Sequence, residues 1–180
     1  MKLLLHTCCA PCLIYPLNIL KQEGIETWGF FYNPNIHPYG EYIKRYSAII
    51  DYAKEIDLEF IATDGAYPVE DYFRTISFKE ERPQRCNICW TLRLKKTADV
   101  AKENDFDYFS TTLLVSPYQD QKVLRDIGVK VSQEVGVEFY YKDFREGFRA
   151  AHNEAKTKGI YMQKYCGCIY SERERYAKCC

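Results

Sequence analysis

The chain has 180 residues, is 47% hydrophobic and carries nine cysteines. Its 25 basic and 25 acidic residues give a formal net charge of zero, so overall charge predicts no polyanionic partner. Disulfide frameworks are typical of secreted chains below about 100 residues, whereas this chain can bury a core unaided and its cysteine number is odd. Composition therefore favours a metal or redox site in a cytoplasmic protein.

The first residues test that interpretation, because Lys2 followed by three leucines is how a signal peptide can begin. His6 ends the apolar run well short of the roughly 7–15 residues of a secretory signal. No stretch approaches the roughly 18 apolar residues of a membrane span. We therefore expect a cytoplasmic protein without a membrane, beginning directly with a buried strand.

Strand and helix patterns then alternate along the chain. The predicted strands occupy 2–7, 26–32, 58–63, 107–115 and 138–142, and the predicted helices 11–23, 40–56, 67–76, 89–102, 119–134 and 144–158. This alternation predicts one α/β domain over 1–180, with a parallel five-stranded sheet covered by helices. A cysteine-containing C-terminal segment follows from about residue 160.

The first cysteine group lies where the first predicted strand ends and the first helix begins. Cys8, Cys9 and Cys12 occupy this turn, where ligands of open α/β sheets usually bind. A helix N-terminus stabilises thiolates, so we expect depressed pKa values here. Thiols replace the glycines of a phosphate-binding loop, which indicates metal binding. The alternative is that Cys8 or Cys9 is a small buried hydrophobic residue.

Two further cysteine groups follow. Cys86 and Cys89 form a C-x-x-C pair that fits zinc, iron–sulfur and thioredoxin-like chemistry alike. Combined with the first group, this soft all-sulfur set favours an iron–sulfur cluster or structural zinc, and zinc would leave the third group unexplained. The spacing of Cys166 and Cys168 is typical of a strained disulfide, or of one ligand beside one redox thiol.

These thiols lead to an assignment of roles. We predict Cys8, Cys9, Cys86 and Cys89 as metal ligands and Cys12 as a fifth thiol serving catalysis or a neighbouring iron, although the sequence leaves open which four bind a cluster. Cys166 and Cys168 are expected to approach the metal from the C-terminal segment and to take part in catalysis, the alternative being a structural turn.

Local charge carries more information than net charge. Basic residues flank the second cysteine group and begin the last predicted helix: Arg85, Arg93, Lys95, Lys96, Arg145 and Arg149. Both sets are expected at the carboxyl edge of the sheet, where phosphate contacts would position an RNA. The alternative is a solvated surface with no ligand.

Unusual motifs accompany the cysteines throughout the chain. They are HTCCAPC at 6–12, FYNPNIHP at 31–38, RCNIC at 85–89, TTLLVSPY at 111–118, DFR at 143–145 and YCGCIYS at 165–171. Together they resemble the QueH-type epoxyqueuosine reductases from end to end. None of them covers Cys179 and Cys180.

The resemblance implies reduction of epoxyqueuosine in tRNA to queuosine without cobalamin. It also implies a [4Fe–4S] cluster and a fold similar to nucleotide-hydrolase-like (HUP) domains. The partners are then a tRNA, through its anticodon loop, and an external electron donor. Tyr32 and Trp90 of the protein could stack on a base of that loop once the base has left its own stack. The alternative for Trp90 is packing in the core.

The implied reaction consumes two electrons and two protons and releases water. A cluster delivers electrons singly, so a second redox partner or an adjacent mononuclear iron would help, and an open iron could act as a Lewis acid. His6, Tyr118 and Asp120 lie near expected strand ends and could donate a proton, with packing or helix capping as the alternative. His37 either shapes the pocket or serves as an acid.

Three rival functions remain open at this point. An ATP-dependent tRNA sulfur-transfer enzyme would have a serine- and glycine-rich phosphate loop after the first strand, and residues 8–12 contain neither residue type. A thiol–disulfide oxidoreductase would need only Cys166 and Cys168. A zinc-binding module without catalytic activity would not explain the third cysteine group.

Overall fold

Five parallel strands form the centre of the fold, which we describe from a computed structural model for residues 1–62 and 67–177. The strands are β1 (Lys2–His6), β2 (Glu26–Phe31), β3 (Phe60–Ala62), β4 (Tyr108–Thr111) and β5 (Glu138–Phe139). They are ordered β3-β2-β1-β4-β5, and all four neighbouring pairs are parallel. The predicted α/β fold class is confirmed.

Helices connect the strands and continue beyond the last one. They are α1 (Ala10–Gln22), α2 (Tyr39–Glu55), α3 (Val69–Ile76), α4 (Gln84–Glu103), α5 (Gln121–Val135), α6 (Phe148–Thr157) and α7 (Ile169–Tyr176). Two 3-10 turns occupy Thr112–Val115 and Arg145–Gly147. In the described part of the chain, no helix is both long and apolar enough to cross a membrane.

The central strand explains why helices cover both faces of the sheet. Its three leucines are fully buried, and successive side chains of a strand point to opposite faces. Leu4 joins a hydrophobic cluster with Leu94 of α4, whereas Leu3 and Leu5 join another with Leu13 of α1. A parallel sheet buried on both faces in this way has near-continuous apolar strands.

The structure differs from the predicted elements around the site. The predicted strand 107–115 ends at Thr111, because the Thr111 hydroxyl accepts a hydrogen bond from the Leu113 amide at 3.1 Å and begins a 3-10 turn. Helix α4 starts at Gln84 rather than 89, so Cys86 and Cys89 both lie in its first turns. Residues three apart on a helix share a face, so both thiols point the same way.

Helix α7 was not predicted. The Cys168 thiol accepts a hydrogen bond from the Ser171 amide at 3.3 Å and so caps the N-terminus of this helix. A thiol is not among the side chains that usually mark a helix start in a sequence. The last predicted helix, 144–158, is divided into a 3-10 turn and α6. Cys179 and Cys180 lie outside the described residues.

The packing of α5 against β5 yields a stability prediction. A Cβ atom on Gly128 would lie 2.2 Å from Cε1 of Phe139, so Gly128→Ala forces the ring or the helix to shift. We expect the free energy of unfolding in urea to fall by about 1–3 kcal/mol, as for other overpacked cores. Gly40→Ala is the matched control, because a Cβ atom there meets nothing within 4 Å. The control should be neutral or slightly stabilising, because Gly40 lies in the first turn of α2 and alanine is the better helix former. Equal effects in both variants would contradict this packing.

Candidate metal and redox site

A cavity of about 990 Å³ opens at the carboxyl ends of the strands. Six cysteines, drawn from all three sequence groups, line it: Cys8, Cys12, Cys86, Cys89, Cys166 and Cys168. These six and Cys9 are free thiols, so Cys166 and Cys168 do not form a disulfide in this structure. The fold thus brings distant cysteines to one place, as the sheet-edge argument predicted.

The first cysteine group forms a tight thiol triad. The Sγ atoms of Cys8, Cys9 and Cys12 lie within 4.8 Å of one another, and Cys8 and Cys9 are 3.8 Å apart. The reason is local, because Cys9 is the N-cap of α1 and Cys12 lies in its first turn. Over residues 1–62 and 67–177, this is the only group of three or more histidine, cysteine, aspartate or glutamate side chains close enough to share a metal ion. Cys86 and Cys89 line the same cavity but are not part of the thiol triad.

Two polar side chains that sequence analysis missed orient the triad. The Thr112 hydroxyl accepts a hydrogen bond from the Cys8 amide at 3.1 Å and donates one to the Cys8 thiol at 3.4 Å. The Gln163 amide donates a hydrogen bond to Sγ of Cys9 at 2.8 Å. These hydrogen bonds fix the orientation of the Cys8 and Cys9 thiols, as side chains around a metal site do for its ligands.

The predicted depression of all three pKa values is wrong for two of the thiols. Hydrogen bonds from the Cys12 and Cys9 thiols hold the pKa of Cys8 well below its usual range. Burial raises the pKa of Cys9, and the hydrogen bond to Cys8 raises that of Cys12. The physical reason is that adjacent buried thiols stabilise one negative charge but not three.

The remaining thiols of the cavity lining, those of Cys86, Cys89, Cys166 and Cys168, form what we call its second wall. Cys89 and Cys168 belong to one small buried cluster with Tyr72 and Ile76. Burial raises the pKa of Cys89 to about 12 and also raises those of Cys86 and Cys166. Cys166 is exposed and lines the cavity. Without a bound cation, the thiols of Cys86, Cys89 and Cys166 are therefore protonated at neutral pH.

Arg45 of α2 holds the segment that carries Cys166. Its guanidinium is buried, forms an ion pair with Glu41 at 2.7 Å and donates hydrogen bonds to the carbonyl oxygens of Tyr165 and Cys166 at 2.9 and 3.1 Å. The structure thus attaches the third cysteine group to the start of α2, and the sequence contains no signal for this contact.

The two buried histidines, His6 and His37, make hydrogen bonds and ring contacts inside the fold. Burial lowers the pKa of each to about 4, so both are neutral at pH 7. His6 is hydrogen-bonded to the Thr111 hydroxyl at 2.9 Å. His37 stacks on Phe73 outside the cavity lining, and its backbone amide donates to the Gly167 carbonyl at 2.8 Å. These contacts favour the pocket-shaping alternative for His37 over the role of an acid.

Aromatic side chains form one part of the cavity mouth. Tyr118 is 81% exposed, with its ring centroid 5.8 Å from that of Phe148, which lies 4.0 Å from the ring of His152. All three line the cavity. The sequence analysis did not identify His152, although it is one of only three histidines in the chain.

Other predicted contact residues have different surroundings. Asp120 caps α5 by accepting a hydrogen bond from the Val123 amide at 3.0 Å, which is the capping alternative. Tyr32 stacks on Phe30 in the core and is not part of the cavity lining. Trp90 belongs to the core, which is the packing alternative, although it also lines the cavity.

The predicted RNA-binding residues divide into buried and peripheral sets. Arg85 and Arg93 are each 1% exposed, and Arg85 pairs with Glu174 at 2.7 Å. Guanidinium groups buried this deeply cannot contact phosphates on an outer surface, so these two assignments need correction. The remaining predicted residues lie outside the cavity lining: Lys95, Lys96, Arg145 and Arg149.

The cavity itself is strongly basic even though the chain is neutral overall. Seven basic side chains line it: Arg45, Arg82, Arg85, Arg93, Lys164, Arg173 and Arg175. Only two carboxylates, Asp120 and Glu174, accompany them among the described residues. Lys164, Arg173 and Arg175 are exposed, so cations reach the cavity mouth.

The fold has a counterpart among solved structures. The structure resembles the crystal structure of a predicted subunit of tRNA methyltransferase from Methanocaldococcus jannaschii, with a TM-score of 0.58, 12% identity and coverage of 87% of this chain and 74% of that one. At this identity the likeness concerns the fold alone.

Sequence relatives are closer. An epoxyqueuosine reductase QueH from Dehalococcoides mccartyi is 37% identical over 177 residues, covering 98% of this chain and 96% of the relative. One from Thermotoga maritima is 36% identical over 183 residues, covering 97% and 92%. The family model described as "Epoxyqueuosine reductase QueH" matches residues 3–174. The chain therefore belongs to the epoxyqueuosine reductase QueH family.

Proposed function

We propose that this protein reduces epoxyqueuosine to queuosine in the anticodon loop of a tRNA, in the cytoplasm. The observation that carries the proposal is the cavity in which three cysteine groups meet, in a chain whose relatives are named for this reduction. The epoxide loses both carbon–oxygen bonds, an alkene forms, and the oxygen leaves as water. This change consumes two electrons and two protons, so an external electron donor is required.

The thiols fit an iron–sulfur cofactor. Three sulfur atoms within 4.8 Å of one another are a soft donor set that favours iron–sulfur clusters or zinc over hard cations. We assign a [4Fe–4S] cluster to the triad side of the cavity, with Cys8 and Cys9 as ligands and Cys12 beside them. Cys86 and Cys89 on the second wall complete the ligand set or hold an adjacent mononuclear iron. When bound, such a group supplies electrons singly and an electrophilic iron for the epoxide oxygen.

The protein itself supplies protons and positions the base. Tyr118 and His152 line the cavity mouth, and the His152 Nδ1 is hydrogen-bonded to the Phe148 carbonyl at 3.0 Å, which leaves Nε2 for exchange with substrate. Tyr118 can donate its hydroxyl proton or stack on the base, and its exposure favours stacking. His37 retains a role in shaping the pocket through its backbone contact with Gly167.

Iron content tests the ligand assignment. Serine at Cys9 or Cys12 removes a donor from the triad, and serine at Cys86 or Cys89 removes one from the second wall. We expect iron per chain, measured after anaerobic reconstitution with iron and sulfide, to fall about tenfold or more, since even outer-shell losses cost 10–100-fold in metal affinity. Cys180→Ser is the control for the same chemical change outside the three groups. Full iron content in the Cys86 and Cys89 variants would remove the second wall from the metal site.

Turnover tests the third cysteine group. In Cys166→Ala/Cys168→Ala we expect the fold and most of the iron to remain and conversion of epoxyqueuosine tRNA to stop, because these thiols serve redox steps rather than cluster assembly. Conversion is measured by mass spectrometry of digested tRNA as the loss of one oxygen atom. Unchanged conversion in the double variant would exclude both thiols from the mechanism, and absence of conversion by the iron-loaded native protein would contradict the proposed function.

The basic cavity mouth supports an RNA substrate. Exposed Lys164 and Arg173 line the cavity, and a group of positive charges attracts a phosphate backbone. An anticodon base is already partly unpaired, so moving it into a buried site costs less than flipping it from a duplex. Lys95, Lys96, Arg145 and Arg149 are then more distant contacts for the rest of the anticodon arm.

Salt dependence tests the RNA proposal. In Lys164→Gln/Arg173→Gln we expect weaker binding of an anticodon stem-loop. The slope of log affinity against log salt should flatten by about 0.7–0.9 for each phosphate that is no longer neutralised by the protein. Arg125→Gln/Lys130→Gln removes two exposed cations from α5, outside the cavity lining, and should leave the slope unchanged. Equal slopes in both double variants, measured by fluorescence anisotropy, would show that the mouth is only a solvated surface.

A further inference from the structure

Arg93 is a buried cation at the point where the three cysteine groups meet. It lies one turn after Cys89 on α4, and its Nε donates a hydrogen bond to the Cys89 carbonyl at 3.2 Å. Its guanidinium lies close enough to the thiols of Cys89, Cys166 and Cys8, one from each group, to stabilise them when they are ionised. Arg93 also lines the cavity, although only 1% of it is exposed.

Unlike its neighbours, Arg93 has no carboxylate partner in the described structure. Buried Arg45 pairs with Glu41, and buried Arg85 pairs with Glu174. No ion pair within residues 1–62 and 67–177 includes Arg93, and its buried Nη2 has no hydrogen-bond partner there. Burying an unpaired charge is costly, so a guanidinium retained in such a place needs an anion.

The surrounding chemistry indicates which anion this is. Cysteine binds metal as the thiolate, so a metal held by several cysteines carries negative charge from its ligands into the cavity. We propose that Arg93 is the counter-cation of the thiolate-bound metal centre, a positioning residue that stabilises the negative centre and raises its reduction potential. This proposal rests on the proposed function only in requiring a metal centre, and it replaces the RNA-contact role predicted for Arg93.

The reduction potential of the iron-loaded protein gives the first test. In Arg93→Gln the reduced centre, which is more negative, loses its counter-charge, so the potential should fall. We expect at least a tenfold change in the reduction equilibrium, which is about 59 mV for one electron. Arg125→Gln makes the same substitution at an exposed site and should not shift the potential, because solvent screens it. The measurement is a redox titration followed by visible absorbance; an unshifted potential in Arg93→Gln would overturn the proposal.

Arg93→Lys, which keeps the positive charge, tests the proposal in the case where the metal centre of Arg93→Gln does not assemble. If Arg93→Gln takes up no iron, Arg93→Lys should restore uptake, because it keeps the positive charge that the proposal requires. Equal loss of iron in both variants, with intact far-ultraviolet circular dichroism, would mean that guanidinium geometry rather than charge is needed and would overturn the proposal.

The metal-free protein provides a test independent of iron. Because no carboxylate pairs with this guanidinium in the described structure, Arg93→Met should melt at the same temperature as the native protein or higher when both are metal-free. Loading with iron should then raise the melting temperature of the variant less than that of the native protein. A lower melting temperature of metal-free Arg93→Met would show that Arg93 is structural and would overturn the proposal. If the native chain took up no iron, the proposed function would fail, while this comparison would still decide whether the metal-free fold needs the Arg93 side chain.

Discussion

The whole site depends on the pairing of the central strand β1 with its two neighbours. β1 is hydrogen-bonded to β2 on one side and β4 on the other, and its three leucines are buried on both faces of the sheet. Just past its end, the Thr7 amide donates a hydrogen bond to the Phe30 carbonyl at 2.7 Å, and the Asn33 side chain donates one to the Thr7 carbonyl at 2.9 Å. Because this turn is fixed on two sides, the thiol triad starts from a rigid edge.

The C-terminal segment completes the cavity from outside the sheet. Arg45 holds the backbone at Cys166, and Arg85 holds α7 through Glu174. Arg45 in addition forms a buried ion pair with Glu41, and the contact of Arg85 with Glu174 is itself a partly buried ion pair. Loss of either acidic partner would leave an unpaired charge in the interior. The third cysteine group is therefore positioned by charged side chains of α2 and α4, and its placement depends on those helices being formed.

Charge in this protein is organised by depth rather than by sequence position. The deep cations face thiols, carbonyl oxygens or carboxylates, whereas exposed Lys164 and Arg173 face solvent at the mouth. A negative metal centre and a polyanionic RNA could both be accommodated by such an arrangement, because the two sets of cations act at different depths. The neutral net charge of the chain conceals this separation.

The sequence by itself determined the parallel α/β fold and the position of the first thiol group, since both follow from local periodicity and from the strand-to-helix turn. It also supplied the motifs that assign the family. Only the tertiary structure decided that Arg93 is buried, that Cys168 caps α7, and that Gln163 contacts Cys9. The environments of Arg93 and Gln163 arise from residues distant along the chain, and they depend on how helices pack against the sheet. A basic residue on a helix has the same local signature whether it faces water or thiols, so its environment is fixed only by packing.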